Sequence, residues 1–186
     1  MTEPKTLYLV TGMPAVGKTT FAEQLASRLS ACLVDIDSAT ESIVQAAMNR
    51  ITGNPDDRDS DVFKETFRAP IYETLFTLAR ANLVHTDVVL TGPFTKELHN
   101  PNWPAEVQVK VGRSCRVKCV FLHCSAELRK DRLEARGNPR DRAKLETWET
   151  HLQYYDTESF PAYPHFAVDT GEPDAFENAV SRGLID

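Results

Sequence analysis

Gly12-Met13-Pro14-Ala15-Val16-Gly17-Lys18-Thr19-Thr20 fits the pattern GxxxxGK[ST]. The apolar run 7–11, of strand type, precedes this stretch, and apolar residues recur at helical spacing directly after it. In the order strand, loop, helix, glycines let backbone N–H groups turn inward around phosphates, and the following helix presents its positive N-terminal end. The stretch therefore predicts a nucleotide-binding loop at the end of the first strand.

Each position of this loop has an expected role. Lys18 is expected on the β and γ phosphates and the Thr19 hydroxyl on Mg²⁺, with Gly12 and Gly17 at the turns. The expected nucleotide contacts are Gly12, Met13, Pro14, Ala15, Val16, Gly17, Lys18, Thr19 and Thr20. The alternative is an ordinary strand-to-helix turn that happens to contain two glycines.

Composition limits the class of protein. The chain has 186 residues, 41% of them hydrophobic, and no long apolar stretch, which predicts one domain over 1–186 and no membrane partner. Residues 1–6 are polar and lack a signal core, so we expect a cytoplasmic protein. The expected oligomeric state is a monomer or a homodimer. Its four cysteines lack CxxC spacing, which favours reduced and mostly buried thiols over a zinc site.

Charge is unevenly distributed along the chain. The net charge of −6 argues against a broad contact with nucleic acid. Residues 129–144 nevertheless contain seven basic side chains opposed by three acidic ones. A positive segment on an acidic protein suits a small polyanion held in a cleft.

Apolar runs alternate with helical patterns. Strands are predicted at 7–11, 32–36, 88–91, 117–123 and 165–168, and a helix at 61–83 that Pro70 bends or begins. Such an alternation predicts a parallel sheet covered on both faces. The loops 49–60 and 93–112 are expected to form substrate walls, the second with a short helix that starts near Trp103 rather than a strand through its alternating valines.

Two carboxylates follow the second strand. Strand alternation would send Asp35 and Asp37 to the same side of the sheet, at its carboxyl end. One can hold magnesium while the other orients or deprotonates an acceptor hydroxyl. The alternative is that one of the two is a helix cap, with Ser38 or Asp37 at the N-cap position before Glu41.

With these motifs, the chain resembles the P-loop kinases related to nucleoside monophosphate kinases, especially the branch of gluconate kinase, shikimate kinase and chloramphenicol phosphotransferase. The resemblance implies a three-layer α/β/α sandwich with a five-stranded parallel sheet of order 2-3-1-4-5 and a short arginine-rich lid. In gluconate and shikimate kinases two aspartates follow the loop lysine by 17 and 19 residues. Asp35 and Asp37 have this spacing from Lys18, and by resemblance they are the magnesium partner and the acceptor-binding base.

The resemblance places the lid at approximately 129–144. Its core, 132–136, is similar to the arginine helix that follows the fourth strand in this family, and a helix would put Arg132, Arg136 and Arg140 on one face until Gly137 and Pro139 end it. Lid arginines can neutralise charge on the transferring phosphoryl group and exclude water. The alternative is a solvated, charged helix surface.

Two further sets of contacts are expected. Residues 168–173 look like the loop that walls the adenine in this superfamily, with Thr170 and Pro173 as contacts. The third strand lacks the aspartate of a standard Walker B motif, which favours a transferase over an energy-coupling ATPase. The candidate acceptor contacts are Asp37, Arg58, Arg68, Tyr72, Thr95, Lys96, His99, Trp103 and Arg140.

The sequence thus predicts transfer of the γ-phosphoryl group of ATP, with Mg²⁺, to a hydroxyl of a small molecule such as a sugar, a sugar acid or an antibiotic-like acceptor. Lys18, Asp37, Arg132 and Arg136 are the predicted catalytic residues. One alternative is a polynucleotide 5′-hydroxyl kinase, which would need a basic groove with aromatic stacking. Another is a nucleotide-gated regulatory protein with little turnover.

Overall fold

The computed structural model describes residues 4–138, 141, 145–155 and 160–185. Five strands form one all-parallel sheet in the order β2-β3-β1-β4-β5, as predicted. The strands are β1 (Thr6–Gly12), β2 (Cys32–Asp35), β3 (Val88–Thr91), β4 (Arg116–His123) and β5 (Phe166–Asp169). All five predicted strands are present, with ends that differ by at most one residue.

Helices connect the strands on both faces of the sheet. They are α1 (Lys18–Leu29), α2 (Ile36–Thr52), α3 (Asp61–Thr66), α4 (Arg68–Asn82), α5 (Trp103–Val111), α6 (Ala126–Arg136), α7 (Trp148–Tyr155) and α8 (Ala175–Ser181), with a 3₁₀ turn at Glu97–His99. Among the described residues, none of these helices combines the length and the hydropathy that a membrane crossing requires.

The predicted helix over 61–83 is two helices. Ser60 caps α3 by accepting a hydrogen bond from the Phe63 N–H, and the chain breaks at Phe67 before α4 begins. Pro70 therefore lies in the first turn of α4. Backbone N–H groups in the first turn have no acceptor within the helix, so the N–H that proline lacks is not needed there. The short helix predicted near Trp103 is confirmed as α5.

The strand-alternation argument for the two aspartates is wrong. Strand β2 ends at Asp35, and α2 begins at Ile36, so Asp37 lies in the first turn of a helix. The cap is Asp35, rather than Ser38 or Asp37, because its Oδ1 accepts the Ser38 N–H at 2.9 Å. Strand β2 therefore ends one residue earlier than the apolar pattern predicts.

The alternation of β1 divides the core into two layers. Leu7 and Leu9 face one hydrophobic cluster, which also includes apolar side chains of α4 and α5. Tyr8 and Val10 face the other, which includes apolar side chains of α1 and α8. The sheet is therefore covered on both faces, and its carboxyl edge is left for the site.

Gly12, the last residue of β1, has no room for a side chain. Its φ is +148°, and a Cβ there would lie 2.3 Å from the Leu122 carbonyl oxygen on the neighbouring strand. We expect Gly12→Ala to lower the free energy of unfolding by about 3 kcal/mol, because backbone must move to relieve the clash. Urea denaturation measures this loss.

Gly53→Ala is the matched control for this prediction. Gly53 also has a positive φ, +75°, but a Cβ there meets nothing within 4 Å. It is expected to cost about 1 kcal/mol, which is the ordinary penalty of a left-handed conformation. Equal losses in the two variants would contradict the steric explanation.

The four cysteines are free thiols, as predicted. Cys115 and Cys119 are buried, whereas Cys32 and Cys124 are half-buried. Burial raises the pKa of the Cys119 thiol to about 12. This thiol therefore stays protonated and unreactive at neutral pH.

Candidate nucleotide and acceptor site

The glycine loop, residues 12–17, turns sharply between β1 and α1. Gly17 is the N-cap of α1 with a φ of 89°, and Ala15 also has a positive φ, 65°. The Lys18 ammonium group donates to the carbonyl oxygens of Gly12 at 3.0 Å and Met13 at 2.8 Å. These contacts keep its positive charge at the loop, where phosphates would enter.

Two side chains from other elements hold the outside of the loop. The Thr170 hydroxyl donates to the Val16 carbonyl oxygen at 2.8 Å, and Arg132 Nη1 lies 3.4 Å from the Ala15 carbonyl oxygen. The C=O and N–H groups of one peptide unit point in opposite directions. Anchoring the Val16 carbonyl therefore turns the Gly17 N–H away from Thr170 and leaves it available to an anion.

Removing the Thr170 hydroxyl is expected to loosen this loop. Thr170→Val deletes the hydrogen bond to Val16 and the oxygen that accepts from Arg132 Nη1 at 3.1 Å. We expect the Kd for an ATP analogue to rise about tenfold, because a lost hydrogen bond in a semi-buried network costs about 1 kcal/mol or more. Isothermal titration calorimetry measures the change.

Thr74→Val controls for the substitution itself. The Thr74 hydroxyl donates to the Pro70 carbonyl at 2.9 Å on the exposed side of α4. Its loss removes a hydroxyl of the same kind away from the loop. A similar rise in Kd for both variants would contradict a role for Thr170 in shaping the loop.

A large cavity of about 950 Å³ opens at the carboxyl edge of the sheet. It brings together the glycine loop, the carboxyl end of β2, the start of α2, and Arg132 and Arg136 of α6. The predicted site residues that line it are Pro14, Ala15, Gly17, Lys18, Thr19, Thr20, Asp35, Asp37, Arg58, Arg68, Tyr72, Thr95, Arg132 and Arg136.

A small cavity of about 540 Å³ shares Gly17, Thr20 and Arg132 with the large one. Val16 and Thr170, both predicted contacts, also line it. Phe21, Gln24 and Asp174 line it as well, and these were not predicted. Its place beside the loop suits the base of a nucleotide.

Three predicted nucleotide contacts lie outside the described lining of both cavities: Gly12, Met13 and Pro173. Gly12 and Met13 are buried behind the loop, where their carbonyl oxygens hold Lys18. Pro173 lies before α8, and its carbonyl oxygen accepts from Asn178.

The predicted lid arginines have different surroundings. Arg132 Nη2 donates to the Thr170 carbonyl oxygen at 2.7 Å, and Arg136 Nε donates to Asp141 at 2.9 Å. Arg132 and Arg136 line the same cavity, which confirms their shared face. Arg140 lies outside the described residues.

Arg129 does not belong to the positive surface that the sequence predicted. It is 1% exposed, its guanidinium lies 5.7 Å from the centre of the Trp148 ring, and burial lowers its pKa. No described residue accepts a hydrogen bond from its two terminal nitrogens. The Arg129 side chain is therefore packed between α6 and α7.

On the acceptor side, the predicted contacts divide into two groups. Arg58, Arg68, Tyr72 and Thr95 line the large cavity. Burial raises the pKa of the Tyr72 phenol to about 12, although the nearby Arg68 opposes the shift, so this hydroxyl is neutral at pH 7.

Three other predicted acceptor contacts are not part of the described cavity lining: Lys96, His99 and Trp103. The 3₁₀ turn Glu97–His99 buries Leu98 and leaves His99 exposed. Trp103 is buried against Phe76 and Phe94 in the hydrophobic core. The cavity therefore does not support the prediction that these three residues contact the acceptor.

Asp35 and Thr19 suit a magnesium ion held together with phosphates. Asp35 is 6% exposed and accepts one hydrogen bond, on Oδ1; no described residue donates to Oδ2. Mg²⁺ is commonly held by one or two protein groups, substrate phosphates and water. Within the described part of the chain no cluster of three or more His, Cys, Asp or Glu is placed to hold a metal ion.

Several lining residues were missed by the sequence analysis. Glu41 follows Asp37 by one helical turn and lines the same cavity. Residues four apart in a helix lie on the same face, so the sequence would have indicated Glu41 if the start of α2 at Ile36 had been known. Phe63 and Asp141 also line the cavity, and no local motif marks them.

The chain was compared with known proteins. Residues 7–157 match a family model described as an AAA domain. No curated protein sequence matches the chain significantly. Among solved structures, a sugar kinase from Janibacter sp. HTCC2649 is similar with a TM-score of 0.63 and 21% identity, over 97% of this chain and 93% of that one.

Two further structures share the fold. A gluconokinase from Sinorhizobium meliloti 1021 aligns with a TM-score of 0.54 and 18% identity over 97% of this chain and 92% of its own. A shikimate kinase from Bacteroides thetaiotaomicron aligns with a TM-score of 0.50 and 17% identity, over 95% of each chain. The chain belongs to the AAA domain family and has the fold of P-loop small-molecule kinases.

Proposed function

We propose that this chain is a kinase that transfers the γ-phosphoryl group of ATP to a hydroxyl of a small molecule, of sugar, sugar-acid or antibiotic-like type. One observation carries the proposal: Lys18, the first residue of α1 after the glycine loop, and Asp37 of α2 line the same cavity. A cation that can hold the donor's phosphates and a carboxylate that can accept a proton therefore face one space of about 950 Å³. The kinases that share the fold support the same reading.

The proposed step is a direct in-line displacement. The acceptor oxygen forms a bond to the γ-phosphorus, the bond from that phosphorus to the β–γ bridging oxygen breaks, and ADP leaves. Asp37 receives the hydroxyl proton, while Lys18 stabilises charge on the phosphates. Mg²⁺, bound with the nucleotide, supplies further positive charge.

Arg132 and Arg136 of α6 add positive charge to the wall of the large cavity. Arg132 is fixed by its hydrogen bonds to Thr170, so we assign it to the nucleotide. Arg136 is 48% exposed in its side chain and is paired with the buried Asp141. Its position suits the transferring phosphoryl group and the exclusion of water.

The test is to mix the protein with γ-labelled ATP, Mg²⁺ and pools of sugars, sugar acids, antibiotics, nucleosides and oligonucleotides. A labelled small molecule, lost in Lys18→Ala and in Asp37→Ala, supports the proposal. A labelled oligonucleotide 5′ end supports a polynucleotide kinase instead. Tight ATP binding without any labelled product supports a regulatory, nucleotide-gated protein.

A further inference from the structure

The two arginines of α6 that line the large cavity are held in different ways. Arg132 donates to uncharged oxygens, the carbonyl and the hydroxyl of Thr170, at 2.7 Å and 3.1 Å. Arg136 donates to a carboxylate instead: its Nε lies 2.9 Å from Asp141 Oδ2, and its Nη2 contacts the same oxygen. The contacts to Thr170 leave the charge of Arg132 uncompensated, whereas Asp141 compensates part of the charge of Arg136.

Asp141 is the buried member of its pair. Its side chain is 2% exposed, against 48% for Arg136, and both residues line the cavity that also contains Lys18 and Asp37. Taking a guanidinium away from a buried carboxylate is strongly unfavourable, more so than forgoing one hydrogen bond between a half-exposed arginine and a phosphate. The pair is therefore expected to stay closed when a nucleotide binds.

The geometry of the pair leaves most of the Arg136 guanidinium available. Both contacts to Asp141 use the edge that Nε and Nη2 form. A guanidinium has five N–H donors, and the other three, two on Nη1 and one on Nη2, have no acceptor among the residues that the structure describes. They belong to the next edge of the same planar group. Arg136 can therefore bind an oxyanion without leaving Asp141.

We infer that Asp141 is a positioning residue for Arg136, holding the guanidinium at the cavity wall so that its free edge meets the transferring phosphoryl group. This inference rests on the proposed function. A long, half-exposed arginine loses side-chain entropy when it becomes ordered. Because Asp141 orders Arg136 in the folded protein, that loss does not fall on the transition state.

The opposite arrangement would be a restraint, in which Arg136 has to leave Asp141 before it can act. The two arrangements predict opposite effects when the carboxylate is removed. A positioning residue is needed for the full rate, so its loss lowers kcat. A restraint withholds a catalytic group, so its loss raises kcat.

Asp141→Asn keeps the size of the side chain and removes its charge. With the acceptor identified in the transfer assay, we expect kcat to fall about tenfold and the KM for ATP to change less than threefold, because Lys18 and Arg132 still hold the nucleotide. Asp131→Asn removes the same charge from an exposed residue of α6 that lines neither described cavity, and its kcat is expected to stay within twofold. A kcat for Asp141→Asn that is equal to or above the wild-type value would overturn the inference.

The same substitution in an Arg136→Met background separates positioning from a merely structural role. Without the guanidinium, the Asp141 carboxylate repels the phosphates instead of orienting a cation towards them. Adding Asp141→Asn to Arg136→Met is therefore expected to leave kcat unchanged or to raise it up to threefold. A tenfold fall in both backgrounds would mean that Asp141 acts independently of Arg136, and would contradict the positioning role.

Nuclear magnetic resonance of the ¹⁵N-labelled wild type tests the pair without turnover. The Arg136 Nε–H signal is identified by its absence in Arg136→Met. We expect its exchange with water to stay equally slow when Mg²⁺ and a non-hydrolysable ATP analogue are added, and to become at least tenfold faster in Asp141→Asn. Faster exchange in the wild type on nucleotide binding would show that the pair opens, and would overturn the inference whatever the transfer assay shows. Absence of a labelled product from every acceptor pool would instead count against the proposed function.

Discussion

Lys18→Ala is expected to lower kcat for phosphoryl transfer by about 10³-fold. The Lys18 ammonium group lies 2.8 Å from the Met13 carbonyl oxygen and 3.0 Å from that of Gly12, inside the loop that would hold the phosphates. Removing one preorganised positive group from the transition-state charge costs about 10²–10³ in rate, and Lys18 also contributes to nucleotide binding. Steady-state kinetics with the preferred acceptor measures the loss.

Lys110→Ala is the control for this variant. Lys110 is an exposed lysine of α5 that pairs with Glu73 at 3.2 Å and does not line either described cavity. Its removal makes the same change in net charge and is expected to alter kcat less than twofold. A Lys18→Ala protein that folds and keeps more than a tenth of the wild-type kcat would contradict the phosphate role of Lys18.

Asp37→Asn is expected to lower kcat by about 10²- to 10⁴-fold, the usual range for removing a general base. The amide keeps the shape and the position in the first turn of α2 but cannot accept the hydroxyl proton. The Kd for ATP is expected to stay equal or fall, because a negative charge near the γ-phosphate is removed. Rapid-quench kinetics and calorimetry measure these two quantities separately.

Asp59→Asn removes the same charge from an exposed carboxylate of the same cavity. We expect its kcat to stay within threefold of the wild-type value. A comparable loss of rate in Asp59→Asn would mean that overall charge matters rather than a base at residue 37. Weaker ATP binding in Asp37→Asn would instead indicate that this carboxylate helps to hold the metal.

The sheet and the loop could be predicted because their signals are local. A buried parallel strand is apolar along its whole length, and the glycine loop must follow the first strand directly. The order of the strands came from the family resemblance, and the structure confirms it. Strand ends were off by at most one residue, yet at Asp35 one residue decided whether Asp37 belongs to a strand or to a helix.

The errors in the site arise from contacts between distant parts of the chain. Arg129 lies in a run of basic residues, and only the packing of Trp148 from α7 shows that it is buried. Glu97 carries no motif, and its ion pair with Arg68 at 3.7 Å depends on how closely the 3₁₀ turn approaches the start of α4 in space. Composition counts charges but does not reveal which of them are already compensated.

One guanidinium, that of Arg132, touches the glycine loop through Ala15 and the turn after β5 through Thr170, and it borders both cavities. Under the proposed function, a substitution of Arg132 that selects a different base would therefore also alter the glycine loop, which is proposed to hold the phosphates. Substitutions that alter the preference for a nucleobase without lowering kcat are expected at Gln24 or Asp174, which line the small cavity but not the large one. Evolution toward another nucleotide has more freedom at those two residues than at Arg132.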